Sequence, residues 1–121
     1  MLLTRANLIL AVVLITSACS SVTEKPPSKR VLEAMELIQD GKPKQLDDYV
    51  LIKDISETGI LYGMMSTAFS QNGGVSRFEI ESEKIEGESA SVTLRWYYKD
   101  GNSEHNTFRL EREDGNWRIE L

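Results

Sequence analysis

Cysteine occurs once in this 121-residue chain, and histidine once. A single Cys excludes an intrachain disulfide. Cys19 and His105 together supply too few thiol and imidazole groups for an ordinary zinc set. Cations are scarce as well: 14 Lys and Arg stand against 19 Asp and Glu, a formal net charge of −5. That balance lacks the basic footprint of a nucleic-acid binder. Phosphate-cradling glycine loops and nucleophile elbows are absent. No apolar run approaches the ~20 residues needed to span a bilayer core. The chain also contains no internal repeat and no low-complexity tract.

What is present begins with residues 1–18, MLLTRANLILAVVLITSA. Arg5 precedes an apolar run from Leu8 to Ile15, and Thr16, Ser17 and Ala18 close it. This is the arrangement of a secretory signal peptide. A buried core helix fits less well, because the run is apolar all round and lies beside a basic residue at the N-terminus. Cys19 follows directly. A free cysteine is ordinarily a small buried hydrophobe, but Ile15-Thr16-Ser17-Ala18-Cys19 resembles the bacterial lipobox, with Thr16 where Leu is commonest. The resemblance implies that Cys19 is lipidated and becomes the new N-terminus, anchored by its acyl chains. Ser20, a residue other than Asp, then implies the outer rather than the inner membrane of a Gram-negative envelope.

Removing residues 1–18 leaves 103 residues with 13 cations and 19 acids, a formal charge of −6. Residues 19–29 read as the lipidated Cys and a polar tether carrying a Pro pair. Ten extended residues reach at most ~35 Å, so the domain, 30–121, is expected to work close to the membrane. About ninety residues suffice for one modest core.

The first half of that domain has helical spacing. Val31, Leu32, Met35 and Ile38 recur from a candidate N-cap at Ser28, and Gly41 supplies the stop. Gln45–Val50 reads as a short second helix presenting Leu46, Tyr49 and Val50. Ser56 or Thr58 caps a third, with Leu61, Met64, Met65, Ala68 and Phe69 on one face and Asn72-Gly73-Gly74 at its end. Gly63 inside it costs about 1 kcal/mol against Ala, which points to a close approach of helix to sheet. The Met64–Met65 pair is core at this spacing rather than a pliable binding surface.

The second half alternates. Phe78 and Ile80, then Val92, Leu94, Trp96 and Tyr98, then Phe108 and Leu110, then Trp117, Ile119 and Leu121 define four strands with one buried face. Glu86-Gly87, Asp100-Gly101 and Asp114-Gly115 are hairpin turns. A one-residue slip turns every side chain over, so parity fixes register. A two-residue Asp114-Gly115 turn sets Leu110 opposite Ile119, Phe108 opposite Leu121, Glu111 opposite Arg118 and Arg109 opposite Glu120. The middle hairpin needs a three-residue Lys99-Asp100-Gly101 loop. Ile85-Glu86-Gly87 serves the first in the same way and sets Ile80 opposite Val92.

Helices on one side of a curved four-stranded antiparallel meander make an α+β domain. Gly87 with Ala90 and Val92, Tyr98-Lys99-Asp100-Gly101, Phe108-Arg109-Leu110 and Asp114-Gly115-Asn116-Trp117-Arg118-Ile119 carry a resemblance to the cystatin-like fold of nuclear transport factor 2 relatives. Within it, the chain resembles small bacterial lipoprotein domains of unknown function, over residues 28 to 121. Relatives of that fold often dimerise through the sheet. Here Arg95, Arg109, Glu111, Arg118 and Glu120 make the outer face more ionic than an obligate interface.

Enzymes of this broad fold place a carboxylate with Tyr or His partners in a conical cavity, and none of those positions transfers to this chain. The inward parity is packing. Tyr49, Tyr98 and Trp96 are the candidate ligand-binding handles. His105 is expected on the solvent face, without partners for catalysis. Asp100, Asn102, Glu104 and Glu111 fall at calcium-loop spacing, but His105 stands where glycine is required. Glu79, Glu81 and Glu83 alternate as a solvated strand face. The expectation is therefore a non-catalytic, lipid-anchored envelope module without cofactor or nucleic acid, which binds an envelope protein or a small ligand. Its alternatives are a toxin-neutralising or inhibitor lipoprotein, and a small-ligand carrier or enzyme of the conical-cavity type.

Overall fold

The computed structural model describes residues 24–52 and 57–121. The leader-like segment, Cys19 and Ser56 lie outside them. The element order is α1 (Pro27–Gln39), a 3₁₀ segment η1 (Pro43–Tyr49), α2 (Glu57–Phe69), a short 3₁₀ turn (Gln71–Gly73), and strands β1 (Val75–Glu86), β2 (Ser89–Tyr98), β3 (Ser103–Glu113) and β4 (Asn116–Glu120). The strands form one antiparallel sheet in the order β1-β2-β3-β4, the expected meander.

Helix α1 starts at Pro27, inside the stretch expected to be tether, because proline suits the first turn of a helix and Pro27 is buried. Ser28 is therefore not the cap. Its backbone N–H is instead held at 2.8 Å by the Glu83 carboxylate from β1, where a negative charge also suits the helix dipole. Glu83 thus does not simply face solvent. Gly41, at φ 72°, ends the helix as the left-handed residue, and Lys42 N–H donates back to Leu37 O at 2.9 Å.

The buried stripe of α1 is Pro27, Arg30, Val31, Ala34, Met35 and Ile38. In α2 the buried positions are Thr58, Leu61, Met65 and Phe69. Met64 lies about 100° around the helix from Met65 and is 58 % exposed, against the expectation that both are core. A Cβ on Gly63 would meet nothing within 4 Å, so this glycine marks no close approach to the sheet. Phe69 packs edge-on against Phe78 and Trp96, with centroids 5.2 and 5.3 Å away, and thereby locks the end of α2 onto β1 and β2.

The last hairpin has the expected register. Leu110 faces Ile119, Glu111 faces Arg118 and Arg109 faces Glu120, around Asp114 and Gly115 with both φ values positive. Leu121, expected opposite Phe108, is however 48 % exposed, because β4 stops at Glu120 and the pairing with β3 reaches no farther. The middle hairpin has its three-residue loop: Tyr98 N–H donates to Asn102 O at 2.8 Å, and Val92 faces Phe108.

The first hairpin differs. Glu86 pairs with Ser89 around a two-residue Gly87-Glu88 turn, and Ile80 faces Leu94, not Val92. A bulge at Glu81 supplies the extra residue, so Ile80 still points inward. Leu94, Val92, Leu110, Ile119 and Trp117 fill the space between helices and sheet.

Candidate functional site

On the inner face of the sheet the polar atoms of Trp96 and Tyr98 are both engaged. Trp96 Nε1 donates to the Tyr98 hydroxyl at 2.9 Å, and that hydroxyl donates to Ala68 O at 2.9 Å. Both side chains are buried, and their polar atoms tie β2 to the end of α2. Tyr49 lies elsewhere. Its hydroxyl donates to Glu33 at 3.2 Å, and the Arg30 guanidinium sits over its ring at 4.1 Å. Partial burial and the neighbouring Glu33 carboxylate raise its pKa, so it stays a donor. Of the three handles expected from sequence, Trp96 and Tyr98 bond one another and Tyr49 stands apart.

Arg30 is the residue that sequence reasoning passed over. It is 5 % exposed, donates from Nε to Trp117 O at 2.9 Å, and donates from Nη2 to Asp48 O. Arg118 donates to the same Asp48 carbonyl at 2.8 Å. Two arginines thus staple η1 to α1 and β4. The signal was present: Arg30 stands next to Val31 on the apolar stripe of α1, a position that a solvated arginine would not occupy.

On the outer sheet face His105 lies opposite Arg95, with Nδ1 3.1 Å from an Arg95 nitrogen. Arginine only donates, so Nδ1 accepts and the ring proton sits on Nε2. Arg95 also holds Glu81 at 2.6 Å and Ser103 at 2.8 Å. Tyr97 bonds Glu79 at 2.9 Å. Asp100 spends both carboxylate oxygens on Asn102, at 2.9 and 3.0 Å, shaping its turn. A polar basin of about 320 Å³ lies farther along this face, among Lys84, Ser89, Ser91 and Arg109.

The open groove with an apolar floor is at the other end of the sheet. It measures about 370 Å³ and lies between the C-terminus of α1, the second half of α2 and the start of β1. Ile38, Phe69 and Val75 give it apolar surface; Gln39, Tyr62, Ser66, Ser70 and Lys99 give it polar groups. Gln39 is braced by a 3.3 Å bond from its amide to Val75 O. The Ser66 and Ser70 hydroxyls donate to Gly63 O and Thr67 O, at 3.3 and 2.9 Å. Their protons are directed to helix carbonyls and not to a base. These residues come from three chain segments that are ordinary one by one, so the groove had no signature in sequence.

Similarity to solved structures settles the architecture. A Campylobacter jejuni protein described as a candidate NTF2-like transpeptidase superposes with a TM-score of 0.65 at 18% identity, over 80% of this chain and 99% of that one. The fold is NTF2-like. A de novo designed NTF2 fold protein, NT-9, matches with a TM-score of 0.56 at 19% identity, over 78% of this chain and 81% of the design. A second design, built with a curved β-sheet, matches at 0.50 and 15% identity over 78% and 84%. No family model and no curated protein matches the chain. At these identities the NTF2-like likeness speaks for the fold and not for chemistry.

Proposed function

We propose that this NTF2-like domain is a binding module of the bacterial envelope, moored through a lipidated Cys19, that takes its ligand in the groove at the end of α1. The observation that carries the reading is the division of the molecule. The space between helices and sheet is filled by apolar side chains, whereas a mixed apolar and polar groove stays open outside it. Its volume lies in the range of small-molecule and cofactor sites, ~300–1,000 Å³. The serine protons satisfied by helix carbonyls favour holding a ligand over attacking one. The name of the Campylobacter protein would place peptide chemistry on this fold. Here it favours a peptide-like ligand class without supplying a nucleophile. The lipobox-like run before Cys19, and the likeness to small envelope lipoproteins, support the mooring.

Two measurements test the two halves. Cys19→Ser is expected to move the protein from the detergent phase to the aqueous phase and to retain the leader; unchanged partitioning would count against the mooring. For the groove, a low-molecular-mass envelope extract is added to the isotope-labelled domain and amide shifts are followed. Changes are expected to cluster at Tyr62, Ser66, Phe69, Val75 and Lys99. Changes confined to the outer sheet face, or none, would sink the groove reading.

A further inference from the structure

The charge pattern around this groove narrows the class of its ligand, resting on the groove reading above. In a chain richer in acids than in cations, a cation readily finds a carboxylate, and every described arginine has one. Arg30 and Arg118 lie on Asp48, Arg77 on Glu79, Arg95 on Glu81, Arg109 on Glu120, and Arg112 on Glu24 and Glu88. Lys25 pairs with Glu33 and Lys84 with Glu86. Among the described residues, Lys29, Lys42, Lys44 and Lys99 have no ion pair.

Three of these four share one place. Lys99 lines the groove. Lys42 and Lys44 line a second, shallower depression of about 340 Å³ with Pro43, and the two depressions meet at Gly41. The result is a trough with apolar floor, hydrogen-bonding groups from both helices and unneutralised ammonium groups at either end. The competing polar basin on the outer face lacks this feature, since its Lys84 and Arg109 are already paired.

The trough also stands clear of the N-terminal end of the domain. Glu24 lies just before α1, where it pairs with Arg112, and the trough begins at Ile38. The helical residues from Pro27 to Leu37, about 16 Å at 1.5 Å each, separate the two. A ligand would therefore be met on the side away from the tether.

We propose that the trough binds an acidic peptide in extended form, with carboxylates on Lys99 and on Lys42 and Lys44, and apolar side chains on Ile38, Phe69 and Val75. One small acid would engage one end only. A chain with spaced carboxylates engages both, and attraction between its charge and these lysines strengthens as salt is lowered.

The test uses a dansyl-labelled short peptide of alternating leucine and glutamate, its glutamine counterpart, and fluorescence anisotropy at low and high salt. The glutamate peptide is expected to bind at least about tenfold more tightly than the glutamine one. Lys99→Gln and the pair Lys42→Gln with Lys44→Gln are each expected to weaken it about tenfold, with unchanged thermal unfolding. Lys29→Gln, which removes an unpaired lysine elsewhere, leaves binding as it was. Equal binding of the two peptides at the trough overturns the acidic ligand but keeps the groove reading. Equal losses in Lys29→Gln and Lys99→Gln reduce the effect to diffuse charge and overturn it as well. Absence of binding by either peptide, with no amide shift at Tyr62 or Phe69, sinks both. Retention on anionic-lipid vesicles that Lys99→Gln abolishes, without peptide binding, would assign these lysines to a membrane and overturn the peptide.

Discussion

Arg30→Met is expected to destabilise the domain by about 3 kcal/mol, a fall in thermal midpoint of roughly 15 °C. Methionine keeps the aliphatic stem packed, so the loss comes from the guanidinium. Without it Trp117 O, in the shortest strand, loses its donor in a buried setting. An unsatisfied buried group of that kind costs ~1–3 kcal/mol. The cation over the Tyr49 ring goes too, worth ~0.5–2 kcal/mol when desolvated. Arg30→Lys should recover little, since one ammonium cannot reach both Trp117 O and Asp48 O in the fork geometry of arginine. The control is Asp48→Asn. Its carboxyl side chain is 68% exposed and its main-chain carbonyl, the acceptor for both arginines, remains, so less than about 1 kcal/mol is at stake. Thermal or urea unfolding of the three variants decides the matter. If Asp48→Asn costs as much as Arg30→Met, the charge pair and not the buried carbonyl holds the staple.

Deletion of Glu79 is expected to cost at least about 2 kcal/mol, whereas deletion of Glu81 costs less than about 1 kcal/mol. Glu81 is the extra residue of the bulge. Without it, and with the Gly87-Glu88 turn holding the hairpin end, the ladder runs on regularly from Ser82 opposite Thr93, and Ile80 and Phe78 keep Leu94 and Trp96 as partners. Only the contact to Arg95 is lost. Removal of Glu79 joins Phe78 directly to Ile80, and adjacent residues of a strand point to opposite faces. One of the two, each packed against the core, then turns to water. Full burial of such a side chain is worth ~1.5–3 kcal/mol. Thermal or urea unfolding of the two deletions checks this. Equal costs would show that the bulge residue, and not the spacing of Phe78 and Ile80, holds β1 in register.

That bulge also marks the limit of what the sequence discloses. Strands β2, β3 and β4 are legible because alternation and turn chemistry are independent signals that agree; Asp114-Gly115 and the pairs Glu111–Arg118 and Arg109–Glu120 specify one register between them. In β1, two solutions satisfy the same parity: a three-residue turn, or a two-residue turn with one bulge. The run EIESEKIE has no glycine or proline to choose between them. The second, with Gly87 at φ 63° in the first turn position, is the one formed. Met64 was misplaced because α2 is apolar nearly all round, so no stripe stands out. Tyr98 and Trp96 looked like handles because a sequence cannot show that Ala68 O waits within reach. The groove was illegible for the same reason: Gln39, Tyr62 and Lys99 acquire a joint meaning only when three segments meet.

The contacts that fix the N-terminal layer come from the far end of the chain. Ser28 waits for Glu83, Arg30 for Trp117, and Val50 for its bridge to Ile119. A 13-residue helix is marginal in water alone, and these partners are 55 to 87 positions downstream. A polypeptide emerging from its amino end can nucleate little of this layer until β4 appears, and closure over such separations is slow. Late fastening leaves the first helix and η1 without their anchors until β4 has been made.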